Sequence, residues 1–378
     1  MSDLCWMQIG DLHVTAEGDR CLADLREIVA VANTMFADGV DFVFLPGDNA
    51  NEGAAAQYRL IRRSLDTLAL PLRIIPGDHD FVPGNLDAYR EALGAHDLPR
   101  AETIGGVRCV FLDIVSAGSG GPDFRLGAPQ RTWLAQELAE ADRLDLPTAL
   151  FMHAFAADLR DAADELAALF AQHRVVAVST GHTHYNEILN DGHAISVAVR
   201  STGQVEEGPV GFAVTVVEAG AVAWRFRTLE HPSPFCIVTA PTDLRLLTAA
   251  SEARASSVPP GHMEVRARAW SPHEIVHASC RIADGPLLAM TRQASHGTMS
   301  VWRAVVAVSP GHVGVTVLVE DAVGRTDEDT VNAWIPGPGL APPPLRETDG
   351  QDRFRVGAWP EKGIPGGRLG PNRNGRAW

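Results

Sequence analysis

Apolar and polar positions follow two different rhythms along this chain, and the change from one to the other divides it. Up to about residue 230, short apolar runs alternate with stretches in which apolar residues recur at spacings of three and four, as in strands interleaved with amphipathic helices. The runs predict strands over Leu4–Ile9, Asp41–Leu45, Leu72–Ile75, Val107–Leu112, Thr148–Met152 and Val175–Ser179. Between the first two, Leu22, Leu25, Ile28, Val29, Ala32, Met35 and Phe36 predict a helix that Gly39 would end in the left-handed conformation. A second helix carries Leu60, Ile61, Leu65 and Leu68, and a third follows Pro129 with Trp133, Leu134 and Leu138. From Ala194 to Arg227, short β runs separated by glycines predict antiparallel strands that close the sheet.

After His231-Pro232-Ser233-Pro234, where two prolines hold the chain extended as a linker, the period becomes two. Met263, Val265, Ala267 and Ala269 alternate with Glu264, Arg266 and Arg268, and Val313, Val315, Val317 and Val319 behave alike. With no helical period between about 260 and 335, this region reads as an all-β sandwich of immunoglobulin or fibronectin kind, with residues 320–326 as the turn between its last two strands. From Pro336 the chain is rich in Pro and Gly, but Trp359, Ile364, Leu369 and Trp378 give it apolar groups with which to dock on the body. The expected division is 1–230 as an α/β unit, 231–337 as the sandwich and 338–378 as a tail.

Charge and cysteine usage narrow the function. The 378 residues carry a formal net charge of -15, the wrong sign for a protein that grips polymeric nucleic acid through many phosphates. Cys5, Cys21, Cys109, Cys236 and Cys280 are odd in number and without a C-x-x-C pair, which predicts free thiols, Cys236 and Cys280 being the one pair to check for a disulfide. With no basic leader and no apolar run of spanning length, the expectation is a cytoplasmic protein without a membrane span.

The chemistry sits at strand ends. Asp11-Leu12-His13, Gly47-Asp48-Asn49-Ala50-Asn51, Pro76-Gly77-Asp78-His79-Asp80, Met152-His153 and Gly181-His182-Thr183-His184 each follow a predicted strand. In a layered α/β domain the carboxyl edge of the sheet gathers such loops around one ligand. Three carboxylates and four imidazoles converging there are electrostatically tolerable around two cations, and their oxygen and nitrogen donors suit Mn, Fe, Zn or Co.

These five motifs, in this order, resemble the calcineurin-like metallophosphoesterases, whose pattern is D-x-H, G-D-x-x, G-N-H-[DE], a later His and G-H-x-H, over about residues 3 to 228. Asp48 to Gly53 with Gln57-Tyr58-Arg59, Pro71 to Pro76, and Leu126-Gly127 with Gln130 and Trp133-Leu134 look most like the branch of class III cyclic nucleotide phosphodiesterases and glycerophosphodiesterases. The resemblance implies a four-layered α-β-β-α domain and two divalent or mixed-valence transition-metal ions. By position, Asp11, His13, Asp48 and His184 would bind one metal and Asp48, Asp78, His153 and His182 the other, with Asp48 bridging. It implies attack on phosphorus by a metal-bridging hydroxide, with His79 contacting the phosphoryl oxygen or protonating the leaving alkoxide and Asp80 orienting its ring.

Two residues depart from the pattern: Asp78 stands where the family has Asn, and Ala154 where a second His is usual. An ionised Asp78 leaves less positive charge at the centre and so favours a singly charged diester over a monoester. The expected function is hydrolysis of small phosphodiesters; a phosphomonoesterase, a nuclease or a non-catalytic scaffold are the alternatives, and the sandwich is the surface for a second copy or a protein partner. Arg200 and Ser201, soon after the His pair, read equally as a substrate-phosphate contact or a structural ion pair. Gly118-Ser119-Gly120-Gly121 reads as a surface turn or a flap, and His96, His173, His231, His262, His273 and His312 as surface residues.

Overall fold

The computed structural model describes residues 3–94, 97–206, 208–248 and 261–340, so His96 and the docking of the tail lie outside the described residues. The first half runs β1 (Asp3–Gln8), α1 (Arg20–Met35), β2 (Phe42–Leu45), α2 (Ala55–Leu65), β3 (Leu72–Ile74), α3 (Asp87–Leu93), β4 (Arg100–Ile104), β5 (Val107–Phe111), α4 (Ala128–Arg143) and β6 (Thr148–Phe151). It continues with α5 (Ala163–Gln172), β7 (Val175–Thr180), β8 (Glu187–Asn190), β9 (Ile195–Ala198), β10 (Gly211–Glu218) and β11 (Ala221–Thr228). Two sheets result, in the orders β11-β10-β1-β2-β3 and β4-β5-β6-β7-β9-β8. The strands after Ala194 therefore close two sheets instead of one, β10 and β11 lengthening the first and β9 the second.

The layering follows from the two-residue period of the strands. Leu4, Trp6, Phe42 and Phe44 point between the sheets, where they meet Phe111, Phe151 and Trp224 in one buried cluster. Their neighbours Cys5, Met7, Val43 and Leu45 point the other way, into the core beneath the helices. Helices outside and two sheets inside make the four layers α-β-β-α. In α1 the residues Leu22, Leu25, Ile28, Val29, Ala32 and Met35 form the buried stripe. Its last turn closes at Phe36, whose N–H donates to Ala32, so Gly39 is not the cap; its positive φ of 80° serves the turn before β2.

The second half is all β: β12 (Phe235–Ala240), β13 (His262–Trp270), β14 (Ile275–Ile282), β15 (Leu288–Ala289), β16 (Thr291–His296), β17 (Met299–Ala307), β18 (Gly311–Asp321) and β19 (Thr326–Ile335). The sheets β12-β13-β17-β16 and β15-β14-β18-β19 face each other. Taken in chain order, these are the sheet orders of a constant-type immunoglobulin sandwich with one added short strand. Val265, Ala267 and Ala269 interleave with Val315, Val317 and Val319 in its core. Cys236 lies on one sheet and Cys280 on the other, and all five cysteines are free and buried.

The two halves share more than a linker. Phe235, Ile237 and Trp270 of the sandwich join the helix-side core of the first half, with Phe36 5.7 Å from Phe235 and 5.5 Å from Trp270 between ring centroids. Beside them the buried Arg225 of β11 makes a two-pronged pair with Asp327 of β19, at 2.6 and 3.1 Å, and donates to the Glu328 carbonyl. Asp327 also accepts from the Cys236 N–H. Asp327 also pairs with Arg227, whereas Arg225 keeps Asp329 at 3.8 Å, so Asp327→Ala removes the acceptor that the two buried guanidinium groups share and should destabilise the protein by about 3 kcal/mol in chemical denaturation. A loss under about 1 kcal/mol would show that the pair adds nothing net to the junction.

Candidate metal centre

Every sequence-predicted donor lies just beyond the carboxyl end of a strand: Asp11 and His13 after β1, Asp48 after β2, Asp78 after β3, His153 after β6, and His182 and His184 after β7. The loops are sewn together by their backbones. Leu12 and His13 N–H both donate to the Asp48 carbonyl, Thr202 and Gly203 N–H to that of Asp11, and Gly181 N–H to that of His153. His13, Asp48, His182 and His184 have positive φ, from 43 to 65°, although none is glycine. Such conformations cost free energy and persist where the surroundings fix them, as at sites that aim side chains inward. Gly77 and Gly181 are required here for a different reason: a Cβ on Gly77 would run into the Asp48 carboxylate, and one on Gly181 into that of Asp11.

The side chains form two groups that share one residue. Donor atoms of Asp11, His13, Asp48 and His184 all lie within 4.8 Å of one another, and so do those of Asp48, Asp78, His153 and His182. Asp48 Oδ2 faces His13 Nε2 at 3.6 Å, whereas its Oδ1 faces His153 Nε2 at 3.4 Å. Asp78 Oδ1 lies 3.2 Å from His153 Nε2 and 3.5 Å from His182 Nδ1. His13 Nε2 and His184 Nε2 are 2.9 Å apart, a contact in which at most one ring can donate.

Protein groups alone do not satisfy this arrangement. Asp11 Oδ1 is buried with no hydrogen-bond partner, and burial lifts its carboxyl well above the usual range despite the attraction of His153. Burial also drives His13 down to about 4, with the attraction of Asp48 too weak to restore it. For Asp78 burial acts upward, but hydrogen bonds from His153 and His182 outweigh it and hold the carboxyl below its ordinary value. His153 Nδ1 must donate to the Pro46 carbonyl, 2.8 Å away, which turns Nε2 toward Asp48 and Asp78. Burial disfavours a charge on His153, yet those carboxylates prevail and raise its pKa well above normal. Two cations would take the place of the protons that His153 and Asp11 hold in their absence, meeting an imidazole fixed through its far nitrogen and the orphaned oxygen of Asp11. The donor set fits them.

The neighbours correct two sequence readings. Asp80 does not touch His79: its carboxylate accepts from Asn49, Ala50 and Gly77 N–H, Asn49 Nδ2 and Tyr58 OH, which pins the Asp48 loop to the Asp78 loop. His79 is oriented by the Asn51 carbonyl, 2.8 Å from its Nδ1, and its own N–H donates to Asp48 Oδ1 at 2.9 Å. Arg200 is buried with its guanidinium over the Phe226 ring at 4.4 Å, so it packs within the fold instead of lining the mouth. Ser201 is also buried and donates to the Asp11 carbonyl at 2.8 Å. Phe124, which no motif flags, packs edge-on against His182 at 4.7 Å and against His153 at 5.7 Å. Residues 118–121 form a surface turn in which Ser119 N–H and Oγ donate to the Asp123 carboxylate. Of the remaining histidines, His173 pairs with Asp142 at 2.7 Å, and His231, His262, His273 and His312 lie at the surface or partly exposed. Among the described residues, no helix is long and apolar enough to cross a membrane.

Residues 7–186 match the family model for calcineurin-like phosphoesterases. A probable cyclic nucleotide phosphodiesterase of Fibrobacter succinogenes is 26% identical over 246 residues, covering 60% of this chain and 90% of the relative. The glycerophosphodiester phosphodiesterase GpdQ of Enterobacter lignolyticus is 33% identical over 116 residues, 30% of this chain and 41% of its own length. A purple acid phosphatase from yellow lupin seeds superposes with a TM-score of 0.50 at 14% identity, covering 61% of this chain and 52% of that one, which shows a shared fold.

Proposed function

We propose, for a chain whose residues 7–186 belong to the calcineurin-like phosphoesterase family, the hydrolysis of small phosphodiesters at a two-cation centre. The chain is a metal-dependent phosphoric ester hydrolase. Asp11, His13, Asp48 and His184 would hold one ion, and Asp48, Asp78, His153 and His182 the other. The observation that carries this reading is Asp48, whose two carboxylate oxygens turn to two different donor groups. Bound there, two cations would supply a hydroxide from water at neutral pH and stabilise both oxygens of an in-line displacement. Their identity falls within Mn, Fe, Zn and Co, since the donors are oxygen and nitrogen without thiolate.

The remaining work belongs to residues of the chain. His79, with Nδ1–H committed to Asn51, would present Nε2 to the substrate: protonated, it would donate to a phosphoryl oxygen or to the departing alkoxide. Asp78 adds a negative charge that a doubly charged monoester would feel more strongly than a singly charged diester. The names of two relatives, a glycerophosphodiester phosphodiesterase and a probable cyclic nucleotide phosphodiesterase, support the diester. All donors come from residues 1–230, which we take as the catalytic unit, with 231–337 as a sandwich fixed against it. A scaffold function finds no support in the site, because none of the seven donors is replaced by a side chain unable to ligate.

The test is metal analysis joined to a substrate panel. Protein reconstituted with Mn²⁺ should hold about two ions per chain, lose activity on chelation, and hydrolyse bis-p-nitrophenyl phosphate with higher kcat/KM than the monoester. At full occupancy, Asp78→Asn should lower that diester-to-monoester ratio about tenfold, the effect of one unit charge at ~8 Å and an effective dielectric near ~30. A preference for the monoester in the unaltered protein would favour the phosphomonoesterase reading instead.

A further inference from the structure

Among the described residues, His184 is a donor with a second acidic neighbour that no motif announces. Its Nδ1 lies 3.5 Å from Glu206 Oε1, while its Nε2 faces Asp11 Oδ2 at 3.7 Å and His13 Nε2 at 2.9 Å. The ring therefore stands between Glu206 and the donor group. A carboxylate can only accept, so a hydrogen bond from Nδ1–H leaves the Nε2 lone pair aimed inward. The loop that brings Glu206 there is built into the site. Ser201 Oγ donates to the Asp11 carbonyl and accepts from Gln204 N–H, and Gln204 Nε2 reaches Asn51 Oδ1, on the residue whose carbonyl orients His79. The glutamate itself is half-exposed, with its side chain at 49%, so its charge also faces the approach to the centre.

We propose that Glu206 is a positioning and selectivity residue: it fixes the ring of His184 for metal binding and adds a rim charge that disfavours dianionic phosphate groups. This rests on the two-cation reading above. Asp11, Asp48 and Asp78 already offset three of the four charges of two divalent ions, and Glu206 places one more carboxylate beside them. A diester keeps one phosphoryl charge and is repelled less than a monoester or inorganic phosphate, so the rim would sort ligands by charge before any fit to the alcohol.

The experiment titrates metal-free protein with Mn²⁺ calorimetrically and then measures inhibition of the loaded enzyme by inorganic phosphate at about pH 8, where phosphate is a dianion. Glu206→Ala should weaken one of the two binding events by about 10- to 100-fold and leave the other unchanged, as loss of a carboxylate behind a ligating imidazole does. Glu206→Gln keeps an oxygen to accept Nδ1–H, so it should retain more of that affinity, yet bind inorganic phosphate roughly fivefold more tightly. A glutamate that is only solvated surface would move neither quantity. Alanine and glutamine variants that titrate and are inhibited like the parent would overturn this inference alone, whereas a parent protein that binds no metal would overturn it together with the reading on which it rests.

Discussion

Asp48→Ala abolishes phosphodiesterase activity, by about 10⁴-fold or more, and the loss follows metal content. The expectation comes from the two directions in which the carboxylate points, Oδ2 toward His13 and Oδ1 toward His153. Deleting it removes a donor from both groups at once and brings His13 and His153 face to face across an uncompensated gap, so neither ion keeps four protein donors. Removing Asp11 or Asp78 would leave one of the groups complete. Asp48 also takes a positive φ of 49°, which asparagine tolerates better than alanine. Asp48→Asn therefore separates backbone strain from lost charge: it should stay folded, retain less than the full metal complement and remain nearly inactive. An alanine variant that holds two ions and turns over diesters would show that Asp48 does not join the two groups.

Much of this architecture is legible in the sequence, for physical reasons that can be named. Four of the five strands that deliver the donors, β1, β2, β6 and β7, are buried on both faces and so read as apolar runs that hydropathy alone exposes, whereas β3 is short and partly buried. Each donor sits at the point where such a run meets glycine or a polar residue, and this lets the motifs be placed at one sheet edge without coordinates. The sandwich shows through its alternation, one face of β18 and of the first half of β13 being core and the other partly exposed. By contrast β4, with the sequence RAETI and only partly buried residues, lacks an apolar period and is held as an edge strand by its pairing with β5.

What the sequence conceals at the site are contacts made by backbone groups and by distant loops. Adjacency makes Asp80 the natural partner of His79, yet the turn directs the two side chains apart and hands the imidazole to a carbonyl contributed by Asn51. Glu206 stands 22 positions beyond His184 in a loop without any period, so only tertiary structure brings it to the ring. Arg200 leaves a phosphate contact and a structural ion pair equally open in the sequence, and only the fold shows that the chain two residues beyond β9 turns its guanidinium inward onto Phe226.

His79→Ala, unlike loss of Asp48, should leave both ions in place while activity falls about 10²- to 10⁴-fold, the range for a lost general acid or phosphoryl contact. The metal groups do not include its ring, and the His79 N–H that donates to Asp48 Oδ1 survives in alanine, so the geometry of the shared carboxylate is preserved. Its imidazole packs edge-on against His13 at 4.5 Å with Nδ1 tied to Asn51, leaving Nε2 as the atom free to serve the reaction. The leaving group tells the two roles apart. If Nε2–H protonates the departing oxygen, the loss will be largest for diesters that expel an alkoxide and small for those that expel p-nitrophenolate, which needs no proton. If it instead stabilises a phosphoryl oxygen, both losses will be alike, because that charge develops whichever alcohol leaves. A variant that emptied one metal group would make His79 a support of the centre and not a group that meets the substrate.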